Sequence, residues 1–95
     1  MTKRLTDKKN KVEHLRTIGM VEYFYDHGIP LGQKVFNNYQ GYINGSLRWS
    51  KWHSRIAQDH IIHFVVNNLD YPNYDDIVNN LLAILRSYPH DNLQV

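Results

Sequence analysis

The sequence has no cysteine. That excludes thiol catalysis, a thiolate metal site and any disulfide framework. It also favours a reducing compartment, because small secreted domains commonly rely on disulfides. Long apolar runs are missing too. The longest stretch is Ile61-Ile62, His63, then Phe64-Val65-Val66, far short of the roughly 20 residues a membrane-spanning helix needs. Met1–Asn10 is polar and basic with no apolar run behind it, which reads as no signal peptide and gives the expectation of a cytoplasmic protein. No internal repeat or low-complexity tract is visible. No glycine loop has the spacing that cradles a phosphate, since Gly28, Gly32, Gly41 and Gly45 fall at turn positions. No paired carboxylates stand at a distinctive spacing, and Asp75-Asp76 reads as the start of a helix.

What remains is the composition of one small globular domain. The chain has 95 residues, 42% of them hydrophobic and 21% charged, enough for one modest core and little enclosed cavity. The expected division is a basic tail over 1–10, a single helical domain over 11–90 and a short tail over 91–95. The net charge is only +2, but it is unevenly laid out. Lys3, Arg4, Lys8, Lys9, Lys11 and Arg16 crowd the beginning, while Asp70, Asp75, Asp76 and Asp91 face only Arg86 at the end. A basic end points to an anionic contact or to a solvated tail.

Hydrophobic spacing predicts four helices. The first spans Asp7 to Asp26, with Thr6 or Asp7 as cap, a face of Val12, Leu15, Ile18 or Gly19 and Tyr23, and Gly28 in the left-handed position after its end. The second spans Leu31 to Gln40 on Leu31, Val35, Phe36 and Tyr39, and is broken by Gly41 and Asn44-Gly45. Asn-Gly is a hairpin signal, but the flanks are too short for a sheet, so a helical connection is preferred. The third spans Leu47 to Leu69 with Ser46 as cap, and buries Ile56, Ala57, Ile61, Phe64, Val65 and Leu69. The fourth spans Tyr74 to Tyr88, capped by Asn73, with Asp75 and Asp76 in its first turn, and is buried round much of its circumference. The expectation is an all-α bundle of about four helices, with at most a very short hairpin near residues 40–48.

Three features carry chemistry. On the third helix, Arg48, Lys51 and Arg55 recur at spacings of three and four, opposite the apolar face, with Trp49 and Trp52 beside them. A basic helix start with aromatics suits a macromolecular contact: cations neutralise phosphate or carboxylate, and Trp stacks on a base or fills a protein pocket. A helix–turn–helix placement fits poorly, because taking Gly41 as the turn glycine puts Asn37 and Tyr42 at positions that want small residues. Next, His53, His60 and His63 share a side of the same helix. They are weak metal candidates that lack the paired-histidine signature with an intervening Glu, and they read better as structural. Finally, there are seven tyrosines; Tyr42, Tyr71 and Tyr74 fall in predicted loops and are the expected contacts.

Together these features point to a non-enzymatic binding or regulatory protein with no cofactor. Its expected contacts are Arg48, Trp49, Lys51, Trp52, Arg55 and Tyr42, and its expected partner is a protein, plausibly one that itself handles nucleic acid. Small self-contained proteins of this class are often inhibitors or regulators carried by phages and other mobile elements, an association of size and class. The alternatives are direct DNA or RNA binding by the helix starting near Leu47, and a histidine-based metal protein or enzyme. No membrane partner is expected. A homodimer interface would look like any other aromatic patch.

Overall fold

The computed structural model describes residues 2–87, with side chains described from Val12 onward. The chain folds into α1 (Thr2–Asp26), α2 (Gln33–Ile43), α3 (Lys51–Asn67) and α4 (Tyr74–Ser87). No strand occurs among the described residues, so the expected hairpin near residues 40–48 is absent. No described helix is long and apolar enough to cross a membrane.

α1 is the spine. It packs against each of the other three helices, and α2 also packs against α3. Its 25 residues make a rod of about 37 Å at 1.5 Å per residue. The helix begins at Thr2, so the backbone of the basic stretch continues it and the cap expected at Thr6 or Asp7 lies inside it. It also runs unbroken through Gly19. The buried seam is Thr17, Ile18, Met20, Val21 and Phe24; of the expected face of Val12, Leu15, Ile18 or Gly19 and Tyr23, Ile18 is buried, Tyr23 packs half-buried against the core and Leu15 is exposed. The reason is the crowding of α1 by three partners. The arc it buries is broader than one stripe, and Thr17 enters it because its hydroxyl donates to the Glu13 carbonyl (3.1 Å) and accepts from Gln58 Nε2 (3.1 Å).

α1 ends as its sequence predicts. Gly28 takes φ +67°, its N–H donates to the Tyr25 carbonyl, and the Ile29 N–H donates to the Phe24 carbonyl at 2.9 Å. This pair of bonds is a Schellman motif, and the buried Ile29 beside Phe24 supplies its apolar contact. α2 buries Val35 and Tyr39 and half-buries Phe36, as its spacing predicts. Burial, with Glu22 and Asp26 nearby, pushes the Tyr39 phenol up to about 12. The helix runs through Gly41 to Ile43, and the break falls at Asn44-Gly45, where Asn44 Oδ1 accepts from the Ser46 N–H at 3.0 Å.

α3 starts later than expected, at Lys51 rather than Leu47, and Ser50, not Ser46, caps it. Ser50 Oγ accepts from the His53 N–H, and His53 Nδ1 accepts from the Ser50 N–H at 3.0 Å. This is a capping box with histidine in the place usually held by Glu or Gln. α3 ends at Asn67, so Leu69, expected in its buried face, stands exposed beyond it. α4 buries Ile77 and Leu81, but Leu82 and Leu85 are exposed. It therefore lies on α1 by one side instead of being enclosed. Tyr88, Pro89 and the short tail over 91–95 lie outside the described residues.

Candidate functional site

The site forms where the start of α3 meets the first turn of α2. Trp49 and Trp52 stand three residues apart and have opposite environments. Trp49 is 6% exposed and Trp52 is 56% exposed. Trp49 belongs to the extended stretch before the cap and turns into the core, where its Nε1 donates to Ser54 Oγ at 2.7 Å. Ser50, which caps, has an extended backbone, and the helix begins after it while Trp49 points inward. The Ser54 hydroxyl also lies 3.0 Å from His14 Nδ1 on α1. Burial lowers the His14 pKa below its ordinary value; Glu13 opposes the shift and Lys51 adds to it. Burial thus favours the neutral ring, and the Ser54 hydroxyl, which accepts from Trp49 Nε1, shares a hydrogen bond with His14 Nδ1.

From Trp49 the aromatics lead outward. Tyr42 stands edge-on to Trp49 at 5.9 Å, His53 lies 5.6 Å from Trp49, and Trp52 lies 5.3 Å from His53. Trp52 ends the series at the surface. Lys34, from α2, places its Nζ 5.2 Å from the Trp52 ring centroid, a cation–π contact. Arg48, Lys51 and Arg55, its neighbours in sequence, are exposed. Arg48 precedes α3 and does not lie on the helix as expected. Lys34 and the half-open indole form one surface, and the His53 ring that caps α3 stands edge-on to the indole.

The other expected contacts have packing duties. Trp49 supports the face from below and offers no outer surface. Tyr42 is half-buried against it. Tyr71 stands edge-on to Phe64, and Tyr74 donates its hydroxyl to the Val65 carbonyl at 2.6 Å, tying the start of α4 to α3.

The three histidines do not converge. His53 serves the cap. The His60 ring fills the space beside Gly32, where a Cβ would come within 3.0 Å of its Nδ1. His63 is bonded to Asn67 one turn on. Among the described residues no three His, Cys, Asp or Glu side chains come close enough to hold a metal ion.

Sequence reasoning missed Lys34, because periodicity on α3 carries no information about a residue brought in by α2. It also missed the Trp49–Ser54–His14 network. The signal available was Ser54 itself, a polar residue on the same side of α3 as Ala57, Ile61 and Phe64, which needs a buried partner. Comparison of the chain with protein-family models, curated proteins and solved structures finds no match.

Proposed function

We propose that the chain is a non-enzymatic binding protein. It occupies a macromolecular partner through Lys34, Arg48, Lys51, Trp52 and Arg55, and the partner is a protein that itself handles nucleic acid. The observation that carries this reading is Trp52, a large indole left half in solvent with Lys34 of α2 over its ring. Trp and Arg dominate the energetics of protein interfaces, where a few such residues supply most of the affinity. Exposed Arg and Lys around the indole select an acidic surface and speed the encounter. The same chemistry suits a phosphate backbone, and the position of Lys51 at the start of α3 favours that second reading. Against it, the net charge of +2 is small, and Asp59 interrupts the face one turn beyond Arg55.

The test is an Arg48→Glu/Arg55→Glu double variant. Both positions are exposed, so the fold should survive, as far-ultraviolet circular dichroism will check. Affinity capture from the native host should recover a protein with the wild type and lose it with the variant. Gel shifts with single- and double-stranded DNA and RNA, at low and physiological salt, separate the readings. Binding that weakens steeply with salt selects the nucleic-acid reading. A folded double variant that captures the same protein as the wild type rejects the face altogether.

A further inference from the structure

α1 and α2 pack against each other, and the packing leaves a groove of about 620 Å³ between them. Its floor holds the buried Ile18 and Tyr39, and the exposed Ile43 opens it to solvent at the end of α2. Gly19 lines it as well, and with no side chain it leaves the α1 side unfilled. Of the residues that line the groove, Glu22 alone is charged. The Tyr39 hydroxyl donates to Glu22, and the charges that act on this phenol are those of Glu22 and of Asp26 one turn further along α1, both negative. Among the described residues Glu22 meets no cation. The end of the groove at Ile43 is negative too. Ile43 is the last residue of α2, and the last turn of that helix carries no basic side chain to offset the partial negative charge of its terminal carbonyls.

We propose that this groove binds a small organic cation, an ammonium group on an apolar stem. Three features select that chemistry. The size falls in the range of about 300–1,000 Å³ common to small-ligand sites, which are mostly apolar and use a few polar groups to fix orientation. Here Glu22 is that group: its carboxylate accepts from the ammonium N–H while the stem lies along Ile18 and Ile43. The second feature is the aromatic lining. Tyrosine rings attract a cation through their quadrupole, and both Tyr39 and Tyr42 line the groove. The third is the sign of the field. A carboxylate ligand is repelled by Glu22 at one end and by the carbonyl end of α2 at the other. A neutral ligand of the same shape gains the apolar burial and nothing from Glu22. The groove shares no lining residue with the Trp52 face and is independent of what that face binds.

The test is titration of the isotope-labelled full chain with n-hexylamine at neutral pH, where the amine is charged, read by backbone amide chemical shifts. Hexanoate and n-hexanol serve as probes with the same stem. Hexylammonium should move the amides of Gly19, Glu22 and Tyr42 along a saturating curve, and hexanoate should leave them in place. Hexanol should bind about two- to fivefold more weakly than hexylammonium, the worth of an exposed ion pair. Glu22→Gln, at an exposed position, should weaken hexylammonium by the same factor and leave hexanol unchanged. Ile43→Lys, also exposed, puts a tethered cation at the mouth of the groove and should abolish the saturating shift. Equal shifts with hexylammonium and hexanoate overturn the proposal. So do shifts that gather at Asp75 and Asp76 of α4 instead, and a folded Glu22→Gln chain that binds hexylammonium as the wild type does. The absence of saturation up to about 50 mM, the affinity range open to so small a ligand, overturns it as well.

Discussion

Trp49 and Trp52 are the same residue three positions apart, and the structure uses them for opposite purposes. Trp49 sits in the core with its indole N–H satisfied by Ser54, and it fixes where α3 begins. Trp52 sits half in solvent, with Lys34 over its ring and His53 at its edge. The lesson is about location in a helix. A residue just before a cap can turn inward because its backbone is still extended, whereas the second residue of the helix must follow the helical screw. At 100° per residue that screw carries Trp52 to the outer side, opposite Ala57, Ile61 and Phe64.

Truncating the inner indole should do the greatest damage. Trp49→Ala is expected to cost about 3–5 kcal/mol in a urea or guanidinium titration, the usual loss for a buried aromatic. If it costs no more than a surface change, the two tryptophans do not differ as described. Ser54→Ala is next. It leaves the Trp49 N–H buried without an acceptor and should cost about 1–3 kcal/mol by the same titration. Ser50→Ala removes the cap that separates the two indoles, for about 1 kcal/mol, and should fray the first turn of α3 in amide hydrogen exchange.

Acid should reach the same network through His14. Burial lowers its folded pKa, so the neutral ring is the folded form. Its contribution is fully present above the unfolded value of about 6.5 and is lost as pH falls through the lower folded value. Thermal melts from pH 7 to 5 should therefore decline more steeply for the wild type than for His14→Gln. The smallest effect belongs to the outer indole. Trp52→Ala should change stability by less than about 0.5 kcal/mol, as surface substitutions usually do.

How much of this was legible in the sequence depends on the range of the interaction. The end of α1 was read from Gly28 because a left-handed residue after a helix is a local requirement, and the Schellman bonds are where that reading puts them. The number and kind of helices followed from apolar spacing. The start of α3 was misread by one turn because both Ser46 and Ser50 can cap. The choice between them is made by burial of Trp49 against Ser54 and α1, which no local window contains. The enclosure expected of α4 failed for a similar reason. Its apolar circumference is real, but only one side meets α1, and Leu82 and Leu85 remain open. Of the Trp52 face, Arg48, Lys51 and Arg55 were visible as a basic pattern. The separation of the two indoles, and the arrival of Lys34 from α2, belong to tertiary structure alone.

The most direct test of the account compares Trp52→Ala with the wild type in capture of the partner from the native host, after both proteins are shown to melt at the same temperature. The account predicts that the partner recovered by the wild type is lost with Trp52→Ala, because the indole is the centre of the binding face and supports nothing in the fold. Equal recovery of that partner by the two proteins would contradict it, and would leave Trp52 an exposed residue without a function in binding.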